Sequence, residues 1–123
     1  MAVATLGAIV LDCPAPAALA GFYAELLGGT AEEVEENSDG WVELTGTGGT
    51  PLAFQASPDH VPPQWPGTDG AQQFHLDLTV PDLDAAEREV LALGATVLDA
   101  EDRERSFRVY ADPAGHPFCL CRG

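Results

Sequence analysis

The sequence contains no lysine, and its five basic residues, all arginines, stand against 20 acidic residues. The resulting net charge of −15 would be repelled by nucleic-acid phosphates and by anionic lipid head groups. We therefore expect neither nucleic acid nor a membrane as a partner. The same charge favours a cationic ligand, but a uniform acidic bias can belong to a whole proteome, so charge alone identifies no partner.

Cysteine and long apolar runs are also scarce. The three cysteines, Cys13, Cys119 and Cys121, have no CxxC spacing, which argues against a disulfide framework and against a closed zinc site. We expect them to be small buried hydrophobic side chains. The apolar run near the N-terminus is interrupted by Asp12 and two prolines, well short of the ~20 residues that span a bilayer. No basic segment of a secretory signal precedes it, so we expect a cytoplasmic protein.

The chain nevertheless has enough apolar material for one folded domain. It has 123 residues, of which 46% are hydrophobic, and this suffices to close a single core. Its 13 glycines and 10 prolines predict many short elements rather than a few long ones.

The two halves of the sequence repeat one another. A shift of 67 positions aligns the segment that starts at Ala8 with the one that starts at His75, and a shift of 66 aligns Gly40 onward with Ser106 onward. In each half an apolar strand-like segment ends at a proline, a helical pattern then runs to a glycine, and three short strand patterns follow. Each half therefore predicts a β-α-β-β-β module.

The predicted boundaries follow from the turn residues. Asp82 is the expected N-cap of the second helix, and Gly94 is expected just beyond its C-terminus. We predict one α+β domain over residues 1–123, with module one at about 4–56, a proline-rich linker at 57–71 and module two at about 72–122. The predicted strands are 4–12, 30–36, 40–46, 50–56, 72–80, 95–99, 105–111 and 116–122. The first predicted helix is entered at Pro14 and Pro16 and runs up to Gly28 and Gly29, and the second spans about 82–93.

Two segments of the second half, QQFHLDLTVPDLDAA and RVYADPAGHPFCL, together with their counterparts in the first half, resemble the vicinal-oxygen-chelate superfamily. This superfamily includes glyoxalases, bleomycin-resistance proteins and extradiol dioxygenases. The resemblance extends over nearly the whole chain. It implies two tandem βαβββ modules that form a curved mixed sheet with a cup-shaped cleft, and it implies a homodimer.

The resemblance also indicates where members of the superfamily hold a divalent metal. The implied positions in this sequence are Ala8, Ala53, His75 and Cys119. Only His75 is a usual ligand, because alanine methyl groups donate nothing and a cysteine stands where many relatives have a glutamate. We therefore expect no metal and no catalytic residue. If an ion such as Zn, Fe, Mn or Ni is bound, His75 and Cys119 would hold it, with a third ligand from Asp12, Asp77 or Gln55.

The leading hypothesis is a small-molecule-binding protein of the glyoxalase and bleomycin-resistance type. It would hold an apolar or cationic drug-like compound in the cup without metal chemistry, as antibiotic-resistance members of the superfamily do. The expected ligand-binding residues are Val10, Asp12, Ala53, Gln55, Trp65, His75, Asp77, Cys119 and Cys121.

Two alternatives remain open. The first is a lyase, isomerase or dioxygenase that depends on a divalent metal with unusual ligands, and the second is a dimeric scaffold whose cup is vestigial. Trp65 is either a stacking surface near the mouth of the cup or a plug of the core or dimer seam. Matched positions in the repeat favour the core for Trp41 and Phe107, and we expect no chemistry from His116 in the DPAGHP turn.

Overall fold

The computed structural model of the chain describes residues 2–3, 6–33, 40–66 and 74–123. The chain divides into two compact units, Met1–His60 and Val61–Gly123. Each described unit contains one helix and one four-stranded sheet.

The sheet of the first unit has the strand order β1-β4-β3-β2, in which β1 and β4 are parallel and the other neighbours antiparallel. A parallel pair cannot be joined by a tight turn, and here the crossover includes the helix. The elements are β1 (Ile9–Cys13), α1 (Pro16–Leu27), β2 (Thr30–Glu33), β3 (Trp41–Thr45) and β4 (Leu52–Ala56).

Helix α1 covers one face of this sheet. Pro16 begins the helix, where its fixed φ is suited to the first turn, and Gly28 ends it with a φ of +79°. The inward side of the helix includes Tyr23, which is fully buried and whose ring stacks on that of Phe54 with 5.8 Å between centroids. Strand β4 thus directs Phe54 toward the helix, and the pleat turns Gln55 to the opposite face.

The second unit repeats this arrangement, with the strand order β5-β8-β7-β6. Strands β5 and β8 are parallel, and the ring of Tyr110 stacks on that of Phe118 with 5.8 Å between centroids. The elements are β5 (Leu76–Val80), α2 (Leu83–Ala92), β6 (Thr96–Asp99), β7 (Phe107–Ala111) and β8 (Pro117–Arg122).

Helix α2 has the ends that the sequence predicts. Asp82 is its N-cap, and Oδ1 of this residue accepts hydrogen bonds from the backbone N–H groups of Asp84 at 3.0 Å and Ala85 at 3.2 Å. Gly94 follows the C-cap with a φ of +113°, a conformation that glycine adopts without a steric penalty.

The α+β fold of two tandem βαβββ modules is therefore confirmed. Most strands are one to four residues shorter than predicted. Parts of the predicted strands, at 4–5, 34–36 and 72–73, and residues 67–71 of the predicted linker lie outside the described residues. In the part of the chain that is described, neither helix has the length and apolar character needed to cross a bilayer.

Candidate functional site

The predicted site residues of the second unit lie on the sheet face opposite α2. Asp77 pairs with Cys119 and Thr79 pairs with Cys121 across the parallel strands β5 and β8. The neighbouring residues Phe118 and Leu120 are fully buried, because the pleat turns them toward the helix side. The strand alternation therefore presents the cysteines and Asp77 on the face away from the core.

This face contains a cavity of about 380 Å³, which is within the size range of small-molecule sites. Five of the predicted ligand-binding residues line it: Trp65, His75, Asp77, Cys119 and Cys121. The remaining lining residues, which the sequence analysis did not single out as ligand-binding, are Ser106, Phe107, Val109, Pro117 and Arg122.

A cluster of three polar side chains forms one wall of the cavity. Nε2 of His75 lies 3.1 Å from Oδ1 of Asp77, and 43% of the His75 side chain and 62% of the Asp77 side chain are exposed. The ligand atoms of His75, Asp77 and Cys119 all lie within 4.8 Å of one another. The cluster can donate and accept hydrogen bonds toward a bound molecule.

The thiols in this wall are held in their protonated form. Burial, and after it the negative charge of Asp77, raises the pKa of Cys119 to about 11. Burial and Asp77 also raise the pKa of Cys121. Because the thiolate is the reactive species, neither cysteine is activated as a nucleophile near neutral pH.

Phe107 departs from its predicted position in the core. It is 38% exposed and lines the cavity. The reason is its register, since Phe107 pairs with Cys121 and therefore shares the cavity face of the sheet. Trp41 is likewise only half-buried and pairs with Gln55 on the face opposite α1. The repeat correctly placed both aromatic residues in strands but assigned their side chains to the wrong face of the sheet.

The predicted site residues of the first unit lie side by side on one face of its sheet. Val10 pairs with Ala53, and Asp12 pairs with Gln55, across the parallel strands β1 and β4. Val10, Asp12 and Gln55 are exposed, whereas Ala53 is fully buried. Ala8 precedes β1 and is partly buried. Ligand binding by these residues stays a prediction.

The DPAGHP turn is held by hydrogen bonds to the side chain of its aspartate. Oδ1 of Asp112 accepts hydrogen bonds from the backbone N–H groups of Ala114 at 2.9 Å and His116 at 3.0 Å. Gly115 has a φ of +91° at the centre of the turn. These contacts join β7 to β8 and thereby set the register of the cavity face.

A family model described as "Glyoxalase-like domain" matches residues 8–121. The chain belongs to this family. The match includes both modules and the strands β5, β7 and β8 that contribute to the cavity. No curated protein matches the sequence.

Solved structures of the glyoxalase/bleomycin resistance/dioxygenase type have the same fold. A family enzyme from Burkholderia phytofirmans PsJN is 20% identical with a TM-score of 0.72, over 97% of this chain and 98% of that one. The fosfomycin resistance protein FosX from Listeria monocytogenes is 12% identical with a TM-score of 0.72, over 99% and 95%. TnmS3, an antibiotic binding protein from Streptomyces sp. CB03234, is 21% identical with a TM-score of 0.59, over 99% and 98%. At these identities the likeness concerns the fold.

Proposed function

We propose that this glyoxalase-like protein binds a small, drug-like organic molecule in the cavity of its second unit, without metal chemistry. The observation that supports the proposal is the lining of that cavity. Trp65, Phe107, Val109 and Pro117 provide apolar surface, and His75 and Asp77 add polar atoms along one wall. A mainly apolar concavity with a few polar groups is the usual form of a small-molecule site.

The residues at the family's metal positions favour binding over metal catalysis. Ala8 and Ala53 present methyl groups, and Ala53 is fully buried. Neither of these positions supplies a donor atom to an ion.

Sequestration of an antibiotic is the biological role that we propose for this binding. One similar structure is that of an antibiotic binding protein and another is that of a fosfomycin resistance protein, so the fold supports both kinds of activity. We also propose that the protein is a cytoplasmic homodimer. Light scattering after size-exclusion chromatography tests the dimer, and a single monomeric species would contradict it.

Ligand binding can be tested by native mass spectrometry and by intrinsic fluorescence. The chain has two tryptophans, so a Trp41→Phe variant leaves Trp65 as the only reporter. We expect a panel of neutral and cationic drug-like compounds to contain members that raise the melting temperature and change the emission of Trp65. A panel in which no compound does either, together with a native mass free of any adduct, would contradict the proposal.

A second candidate function is supported by the cluster of His75, Asp77 and Cys119. Its imidazole, carboxylate and thiol are donors that suit zinc, and three protein ligands are the number found in catalytic zinc sites. These three residues would hold a divalent ion, which would act as a Lewis acid on an oxygen of the substrate. Elemental analysis of protein purified without chelators tests this candidate. Stoichiometric metal that is lost in His75→Ala would favour it over metal-free binding.

A further inference from the structure

We propose that the cavity of the second unit selects planar aromatic ligands with a positively charged or hydrogen-bond-donating group at one end, and binds them in one orientation. The aromatic body would lie against Phe107 and the charged end would reach Asp77. This inference rests on the proposed ligand binding. It adds the chemical class of the ligand and the direction in which it lies.

The first observation is the support behind Phe107. The guanidinium carbon of Arg105 lies 4.1 Å from the centroid of the Phe107 ring. Arg105 is held there because its Nε donates to the Phe107 carbonyl at 2.9 Å and its Nη2 donates to the Asp99 carbonyl at 3.1 Å. Arg105 is not one of the residues that line the cavity, which would leave the other face of the Phe107 ring for a ligand. Phe107 is therefore a fixed stacking surface rather than a mobile exposed side chain.

The second observation is the charge at the two ends of the cavity. At one end the guanidinium of Arg105 lies on the Phe107 ring and is paired with the Asp99 carboxylate, with 3.2 Å between Nη2 and Oδ1. At the other end is Asp77, the only carboxylate among the described residues that line the cavity. The Phe107 end therefore already holds a paired cation, and the Asp77 end offers a carboxylate to a ligand.

Strand register gives the distance between these ends. Asp77 pairs with Cys119 on β8, Cys119 pairs with Val109 on β7, and Phe107 lies two residues before Val109. Two strand spacings across the sheet and two residues along it correspond to a separation of about 12 Å. A fused two-ring aromatic with a one-carbon arm has suitable length once the side chains extend into the cavity.

The affinity should therefore depend on where the ligand carries its charge. A cation is attracted to the face of an aromatic ring, but the guanidinium of Arg105 already makes this interaction with Phe107. A ligand whose charge is within its rings would therefore gain little at this end. A ligand whose charge is at its end would place it beside Asp77, whose side chain is 62% exposed.

Two probes of equal charge and ring number test this inference, namely 2-naphthylmethylammonium and N-methylquinolinium. We expect wild-type protein to bind the end-charged probe at least about fivefold more tightly, as measured by titration calorimetry. Asp77→Asn should reduce this preference to less than about twofold, whereas Glu101→Gln, the same charge change at an exposed position of the same unit, should preserve it. Equal or tighter binding of N-methylquinolinium by wild type would overturn the inference.

Arg105 acts as a positioning residue, and its role has a separate readout. Arg105→Gln should strengthen binding of N-methylquinolinium relative to the end-charged probe, and Arg105→Lys, which keeps the charge, should restore the wild-type order. Circular dichroism melts identify any Arg105 variant that does not fold. In that case Phe107→Leu is tested instead, and we expect it to lower the affinity for the end-charged probe at least about fivefold.

The result also distinguishes this inference from the proposed function. If neither naphthyl nor quinolinium probe binds while another compound of the panel changes Trp65 emission, ligand binding stands and the aromatic selectivity is wrong. If no compound binds, both are wrong.

Discussion

Arg108 on β7 donates a hydrogen bond of 2.8 Å from Nη2 to Oδ1 of Asp84 on α2. The Arg108 side chain is only 3% exposed, whereas that of Asp84 is 71% exposed. Burial opposes the charged form of Arg108, but hydrogen bonds to Asp84 and Tyr110 and the nearby negative charges outweigh it and raise its pKa. The helix is thus attached to its sheet by a buried cation that depends on carboxylates.

Glu87 should be the most important of these carboxylates for stability. It accepts a hydrogen bond of 2.8 Å from the Tyr110 hydroxyl, lies 3.7 Å from Nη1 of Arg108 and also accepts from Arg103. Glu87→Ala would leave the buried cation without this partner, and we expect it to lower the free energy of unfolding by about 3 kcal/mol. Urea denaturation measures the change.

The matched control is Glu89→Ala, because Glu89 is exposed on the same helix. We expect this control to change stability by less than about 0.5 kcal/mol. Arg108→Met should lower the free energy of unfolding less than Glu87→Ala does, because it removes the buried charge itself. It also removes Nε and Nη1, two buried atoms for which the described residues offer no hydrogen-bond acceptor. Equal losses in Glu87→Ala and Glu89→Ala would show that the ion pair contributes nothing.

Gly115 should control the position of the segment that contains Trp65. A Cβ atom at Gly115 would overlap the ring of Pro62, and the φ of Gly115 is +91°. We expect Gly115→Ala to destabilise the fold by about 3 kcal/mol and to change Trp65 emission in the Trp41→Phe background. Gly48→Ala is the control, because Gly48 has a φ of +93° with nothing near its added Cβ. It should cost about 1 kcal/mol and leave the emission unchanged.

Much of this fold could be predicted because local rules and the repeat agree. The alternation of Leu76 and Leu78 with Asp77 identified both faces of β5, and the carboxylate of Asp82 identified the start of α2. The same alternation placed His75 and Asp77 on one face, and the resemblance to the superfamily associated Cys119 with His75. In the structure the ligand atoms of these three residues lie within 4.8 Å of one another.

The contribution of Phe107 to the cavity could not be predicted from periodicity alone. An aromatic residue at the start of a strand is compatible with either face, and only its pairing with Cys121 decides between them. The support of Phe107 by Arg105 depends on a loop conformation between β6 and β7, for which the sequence carries no periodic signal. Residues on loops and strand ends therefore account for most of what the sequence analysis missed.

Stability should decrease at alkaline pH because of Cys119. Its folded-state pKa is raised to about 11, above the unfolded value near 9, so the folded state retains a proton that the unfolded state has lost. Stability is therefore fully present below pH 9 and falls as pH rises toward 11. We expect Cys119→Ala to have a flatter dependence of the melting temperature on pH over this range. Identical slopes for the variant and wild type would contradict the shift.

Cys121 should report occupancy of the cavity through its reaction with iodoacetamide. Cys121 lines the cavity and is partly exposed, whereas Cys119 is 7% exposed and Cys13 is fully buried. At pH 9 we expect Cys121 to be alkylated first, because access and the thiolate fraction set the rate of the reaction. Peptide mapping identifies the modified cysteine. Saturating 2-naphthylmethylammonium should slow this reaction about tenfold or more, because a molecule lying on Phe107 covers its cross-strand partner. The control is unfolded protein in urea, where the probe should have no effect on the rate. Undiminished alkylation of folded protein at saturating probe would place the ligand away from Phe107.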